Sequence, residues 1–156
     1  EKEFNLVLGQ VIGKDISQDS LIIDKGSDSG VSKGQPVITP EKILVGKIIE
    51  TYKNFSRVQL LSHKDSSFDA KIAGSDITGL VKGEGSFRFF LDLVPKDKEI
   101  KKGDIVVTSA VAGIFPEGLL VGEIKEVKKL DIEPFQKAEI SPSYDIKELE
   151  YLFVIF

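Results

Sequence analysis

The chain has 156 residues, with 21 Lys and Arg against 25 Asp and Glu, one His and no Cys. A net charge of −4 argues against an electrostatic hold on nucleic acid or anionic lipid, which needs a clustered cationic excess. Proteins or neutral ligands are the expected partners. The absence of Cys excludes a disulfide framework, a thiolate metal site and a Cys nucleophile.

Short apolar runs recur every ten residues or so, separated by Gly, Pro, Asp and Ser, which is the pattern of an all-β barrel or sandwich. Strands are predicted at 5–13, 20–24, 36–40, 43–52, 57–62, 67–73, 78–83, 87–94, 104–109, 119–127, 136–141 and 150–156. Alternation sets Phe68, Ala70 and Ile72 against Asp69 and Lys71. It also sets Phe87, Phe89, Leu91 and Leu93 against Arg88 and Asp92. Each such strand buries one face and wets the other. The last run, Tyr151 to Phe156, is apolar on both faces and needs cover on both sides. It is expected to close the second barrel, to lie between the two, or to be covered by another chain. Asp145 to Glu150 has room for one helical turn before it. No apolar run approaches the roughly 20 residues of a spanning helix, and because Glu1 is not Met the sequence reads as an excised fragment.

The chain repeats itself. Gly9-Gln10-Val11-Ile12-Gly13 is echoed by Gly79-Leu80-Val81-Lys82-Gly83, and Lys33-Gly34-Gln35-Pro36-Val37-Ile38-Thr39 by Lys102-Gly103-Asp104-Ile105-Val106-Val107-Thr108. Leu44-Val45-Gly46-Lys47-Ile48-Ile49-Glu50 is echoed by Leu120-Val121-Gly122-Glu123-Ile124-Lys125-Glu126, with Ser109 to Phe115 inserted in the second copy. Preserved order and spacing predict two tandem six-stranded β-barrels, 1–76 and 77–156, with strand exchange between them left open. Gly46 and Gly122, inside apolar strands, are expected at a bulge or a sharp bend.

Two six-stranded barrels invite comparison with trypsin-like serine proteases, whose chemistry needs a serine nucleophile and a histidine base held by a carboxylate. His63 stands in the polar stretch Leu61-Ser62-His63-Lys64-Asp65 and reads as an exposed turn residue. Gly26-Ser27-Asp28-Ser29-Gly30 has Asp where a GxSxG elbow needs Ser. In the two-barrel proteases base and nucleophile come from different barrels, whereas both candidates here fall in the first copy. The Gly26–Gly30 loop reads as turn chemistry, with a phosphate cradle as its functional alternative. One His and no Cys leave only an all-carboxylate metal site, and no DxDxDG-like spacing occurs. Neither a catalytic, a cofactor nor a metal residue is assigned.

Asp24-Lys25-Gly26-Ser27, Gly30-Val31-Ser32-Lys33-Gly34-Gln35-Pro36-Val37, Leu44-Val45-Gly46-Lys47-Ile48-Ile49-Glu50, Ser56-Arg57-Val58, Gly103-Asp104-Ile105-Val106-Val107-Thr108-Ser109, Gly113-Ile114-Phe115-Pro116-Glu117-Gly118 and Leu149-Glu150-Tyr151-Leu152 together resemble the rod shape-determining MreC family over nearly the whole chain. One departure is Ala110-Val111-Ala112, where the family is richer in Gly. The resemblance implies a non-enzymatic scaffold of the bacterial cell-elongation machinery. It also implies two trypsin-like barrels stripped of catalytic residues and held outside the cytoplasmic membrane by an N-terminal helix and coiled coil. Implied partners are a class B penicillin-binding transpeptidase, the membrane protein MreD, the actin-like MreB and further copies, as dimer or filament. A serine hydrolase with an atypical site is the alternative from another class, and a small-ligand barrel is a third. Candidate protein-binding residues are Ile114, Phe115 and Pro116 on the insertion and Tyr151 and Phe153 on the last strand. For Phe115 the other reading is that it folds back and plugs the barrel end.

Overall fold

The computed structural model describes residues 4–110 and 114–156. Twelve strands follow in chain order: β1 Leu6–Asp15, β2 Ser20–Ile23, β3 Pro36–Ile38, β4 Leu44–Thr51, β5 Ser56–Leu60, β6 Ser67–Ile72, β7 Thr78–Gly85, β8 Arg88–Pro95, β9 Ile105–Thr108, β10 Leu120–Lys129, β11 Phe135–Ser141 and β12 Tyr151–Ile155. Three single 3-10 turns are the only helical segments among the described residues. One of them, Ile146–Glu148, fills the helical turn expected before the last strand and is capped by Asp145, whose carboxylate accepts from the Lys147 N–H at 2.9 Å.

The strands close two antiparallel six-stranded barrels, β1-β12-β3-β4-β5-β2 and β10-β11-β8-β7-β6-β9. The chain divides accordingly: one unit ends at Leu60 and resumes at Tyr144–Phe156, and the other is Leu61–Ser143. This corrects the expected boundary between 76 and 77. β6 belongs to the second barrel, and the first is completed by β12, which was expected to close the second or to lie between the two.

The reason is a strict equivalence. Read from the strand that leads each repeat, the cycles are β12-β1-β2-β5-β4-β3 and β6-β7-β8-β11-β10-β9. Gly9 pairs with Leu152 as its repeat mate Gly79 pairs with Ala70. Val37 pairs with Val154 as its mate Val106 pairs with Ile72. Residue by residue, β12 therefore stands where β6 stands, and the first barrel takes its leading strand from the far end of the chain.

The bulges repeat as well. Between β3 and β4, Val37 faces Gly46 and Ile38 faces Leu44, so Val45 is the extra residue. Between β9 and β10, Val106 faces Gly122 and Val107 faces Leu120, so Val121 is. On the other flank a Cβ on Gly46 would lie 1.9 Å from the Gln59 carbonyl oxygen, and one on Gly122 would lie 2.4 Å from that of Ser141. Glycine with an adjacent bulge turns the sheet tightly enough to close a small barrel.

Inward side chains fill both interiors, as expected of small barrels. Val37, Leu44, Ile48, Val58, Leu152 and Val154 are fully buried in the first, and Ala70, Val81, Leu91, Val94, Val106 and Ala138 in the second. The alternation predicted for β8 breaks near its end. Leu93, expected inside, is exposed with φ of 56°. The register against β11 slips between Gln136 and Ala138, so Val94 takes the interior position. The Asp92 carboxylate accepts from the Leu93 N–H at 2.7 Å and holds the bulge. Phe87 stands with Ser86 in a two-residue turn where both residues have positive φ, the type I′ geometry that suits hairpin twist.

Candidate functional site: the outer face of β1 and β12

Of the outward positions on β1, Leu6, Leu8 and Ile12 are apolar, and Gln10 and Lys14 are polar as on a solvated barrel wall. Leu6, Leu8 and Ile12 are all exposed, Ile12 by 58%. On the adjoining strand Phe153 lies directly opposite Leu8, and Tyr151 opposite Gln10. Tyr151 is half exposed and Phe153 partly so. Pairing across neighbouring strands gathers these side chains into one largely apolar ribbon, interrupted by Gln10. At its Tyr151 end lies a shallow groove of about 260 Å³ lined by Thr39, Glu41, Glu148, Leu149 and Tyr151 among others.

The second barrel supplies an internal comparison. The counterparts of Tyr151 and Phe153 are Asp69 and Lys71, and those of Leu8 and Ile12 are Thr78 and Lys82. These four positions are therefore apolar in the first barrel and polar in the second, whereas Gln10, opposite Tyr151, answers to Leu80, opposite Asp69. Barrel closure does not require the apolar set, because the second barrel closes without it. An apolar face that the fold does not need is a candidate interaction surface.

The other sequence candidates fall elsewhere. Phe115 is buried and meets Phe68 edge-on, with ring centroids 4.9 Å apart and planes at 90°, so the folded-back arrangement is the observed one. Thr108, fully buried, ties the loop down: its hydroxyl donates to the Pro116 carbonyl at 2.5 Å and accepts from the Leu119 N–H at 2.9 Å. Ile114 is the exposed member of that trio. Val111 to Gly113, in the same insertion, lie outside the described residues.

Sequence reasoning missed the β1 members of the ribbon, because only the long-range pairing of β1 with β12 brings them beside Tyr151 and Phe153. It also missed Tyr52 and Phe55 at the β4–β5 turn, which are exposed and stacked with centroids 4.6 Å apart. The Tyr52 hydroxyl donates to Glu50 at 2.9 Å, and that bond raises its pKa above the ordinary tyrosine value.

The chemistry of the remaining candidates is set by their hydrogen bonds. His63 Nδ1 accepts from the Asp65 N–H at 3.0 Å. A neutral imidazole whose Nδ1 accepts carries its proton on Nε2 and has no lone pair there for a serine hydroxyl. A triad histidine needs the opposite tautomer. In the Gly26–Gly30 loop the amides of Ser27 and Asp28 donate to the carbonyls of Tyr52 and Lys53, and those of Ser29 and Gly30 donate back within the loop. With its amides spent on the chain's own carbonyls, the loop cannot cradle a phosphate. Gly26 is there because a Cβ would lie 2.0 Å from the Tyr52 oxygen.

Comparison with known proteins decides the family. A family model described as "Rod shape-determining protein MreC, barrel core" matches residues 11–156. The chain belongs to the MreC family. It is 35% identical over 142 residues to the cell shape-determining protein MreC of Listeria monocytogenes, an alignment covering 88% of this chain and 48% of that protein. Among solved structures, MreC from Pseudomonas aeruginosa superposes with a TM-score of 0.90 at 28% identity, covering 97% of this chain and 99% of that one. A complex between penicillin-binding protein PBP2 and MreC from Helicobacter pylori contains a chain of the same fold, with a TM-score of 0.74 at 18% identity, 97% of this chain and 98% of that one being covered. The chain spans less than two thirds of the length of the curated MreC relatives it matches. No helix among its described residues is long and apolar enough to cross a membrane.

Proposed function

We propose that the protein is a non-catalytic scaffold of the cell-elongation machinery, organising peptidoglycan synthesis by holding partner proteins outside the cytoplasmic membrane. The observation that carries this reading is the apolar ribbon of Leu6, Leu8, Ile12, Tyr151 and Phe153 on a barrel whose twin is polar at the equivalent positions. Relatives named for determining cell shape, and a solved PBP2–MreC complex with the same barrel fold, support it. The partner assigned to the ribbon is a class B penicillin-binding transpeptidase. Its aromatic residues would be the anchors, since burying one in a partner's pocket contributes about 2 kcal/mol or more. Ile114 and Pro116, on the insertion of the second barrel, form a smaller candidate surface for further contacts. MreD and MreB, reached through a membrane anchor and coiled coil, complete the proposed assembly, with self-association into dimers or filaments.

Non-catalytic action is supported by the tautomer that His63 is held in. Incubation with a fluorophosphonate probe tests it: no stoichiometric labelling is expected, and labelling lost on His63→Ala would overturn it. The scaffold reading is tested in cells. Tyr151→Asp with Phe153→Lys, the residues of the second barrel, should leave the protein at normal abundance yet unable to restore rod shape to cells lacking the gene. Full restoration would contradict the assignment of the ribbon.

A further inference from the structure

We infer that copies of this chain can exchange their last strand, residues 144–156, so that β12 of one copy completes the first barrel of another. The inference rests on connectivity. In the second barrel β6 runs into its neighbour β7 through the short segment Ala73 to Ile77, so the leading strand is tied to the barrel it completes. In the first barrel nothing ties it. β12 pairs with β1 and β3, but its covalent connection leads back through Tyr144 to β11 of the other unit. The slot between β1 and β3 thus accepts a strand whose copy of origin no local turn dictates.

The slot is also specific. Leu152 and Val154 are fully buried in it, five residues pair with β1, the Val11 N–H donates to the Glu150 carbonyl at 2.8 Å, and the Phe156 N–H donates to Asn5 at 3.0 Å. An exchanged strand would remake every one of these contacts, so within the first barrel exchange costs the rearrangement of the hinge and the entropy of association. The hinge is short: β11 ends at Ser141 and the unit resumes at Tyr144, leaving Pro142 and Ser143. A short hinge that closure within one copy would strain invites exchange.

The test uses the absence of Cys in the chain. Val7 and Val154 are directly paired and point into the barrel, so Val7→Cys with Val154→Cys can lock β12 to its own copy by a disulfide without touching the outer ribbon. Light scattering after size-exclusion chromatography is read from micromolar to millimolar concentration. The reduced variant and the parent chain should form concentration-dependent oligomers. Monomer oxidised at low concentration should show at least a tenfold smaller oligomer fraction, and reduction should restore it. Oxidising preformed oligomers should give covalent dimers. Oligomers formed equally by the locked monomer would show docking of intact copies and overturn exchange, as would a parent chain monomeric throughout the range.

Discussion

Phe153 occupies in the first barrel the place that Lys71 occupies in the second. Both sit on the strand that leads the repeat: Phe153 is opposite Ile38, and Lys71 is opposite Val107, the repeat mate of Ile38. One position of one architecture thus carries an aromatic ring in one copy and an ammonium group in the other. The difference between them isolates what the first barrel does beyond folding.

The two glycines at the barrel corners should be intolerant of any side chain. Gly46→Ala and Gly122→Ala each drive a Cβ into a backbone oxygen, and relief requires moving a strand. Chemical denaturation should show a loss of about 2 kcal/mol or more for each. Gly13→Ala is the control, since its Cβ would meet Ile22 at an ordinary 3.4 Å. It should cost well under about 1 kcal/mol.

Phe115 should behave as core. Phe115→Ala removes an edge-on partner of Phe68 from a buried site and should lower unfolding free energy by about 3 kcal/mol. Phe115→Asp, which places an unpaired carboxylate there, should prevent the second barrel from folding. A melting transition left in place by both variants would return Phe115 to the surface.

Acid should loosen the outer wall of the second barrel. The Arg88 guanidinium grips Glu139 with two hydrogen bonds of 3.1 Å and holds its carboxyl below the ordinary carboxylate value of 4.5. A depressed folded-state pKa contributes stability that is complete above the unfolded value and is lost as pH falls through the folded one. Melting temperature should therefore drop as pH is lowered below about 4.5, and Arg88→Ala should flatten that drop. Identical pH profiles for the two proteins would remove the pair as a cause. Arg88 also lies 5.1 Å from the centroid of Phe90, with Lys137 at 4.4 Å and Lys128 at 5.7 Å. These cationic side chains explain how an outward Phe90 comes to be buried.

The twelve strands and the two closed barrels were legible because the repeat preserves order and spacing, with Gly46 and Gly122 at positions that admit no side chain, and because apolar alternation has period two. Which strand closes which barrel was not legible. β6 and β12 are both apolar enough to face a core, and only long-range register distinguishes them, with Ala70 opposite Gly79 and Leu152 opposite Gly9. The fate of Leu93 was hidden for a related reason: a bulge shifts the inward face by one residue, and alternation carries no mark of where a bulge falls. At the candidate site, Tyr151 and Phe153 stood out because their strand is apolar on both faces. Leu8 and Ile12 emerged once β12 lay beside β1.

The most direct measurement is the affinity of the class B transpeptidase from the same cell for a variant in which the ribbon is rewritten with the residues of the second barrel: Leu8→Thr, Ile12→Lys, Tyr151→Asp and Phe153→Lys. The scaffold reading predicts a Kd weakened about 30-fold or more, equivalent to about 2 kcal/mol, with circular dichroism and cooperative melting retained. An unchanged Kd in a folded variant would show that the partner surface lies elsewhere.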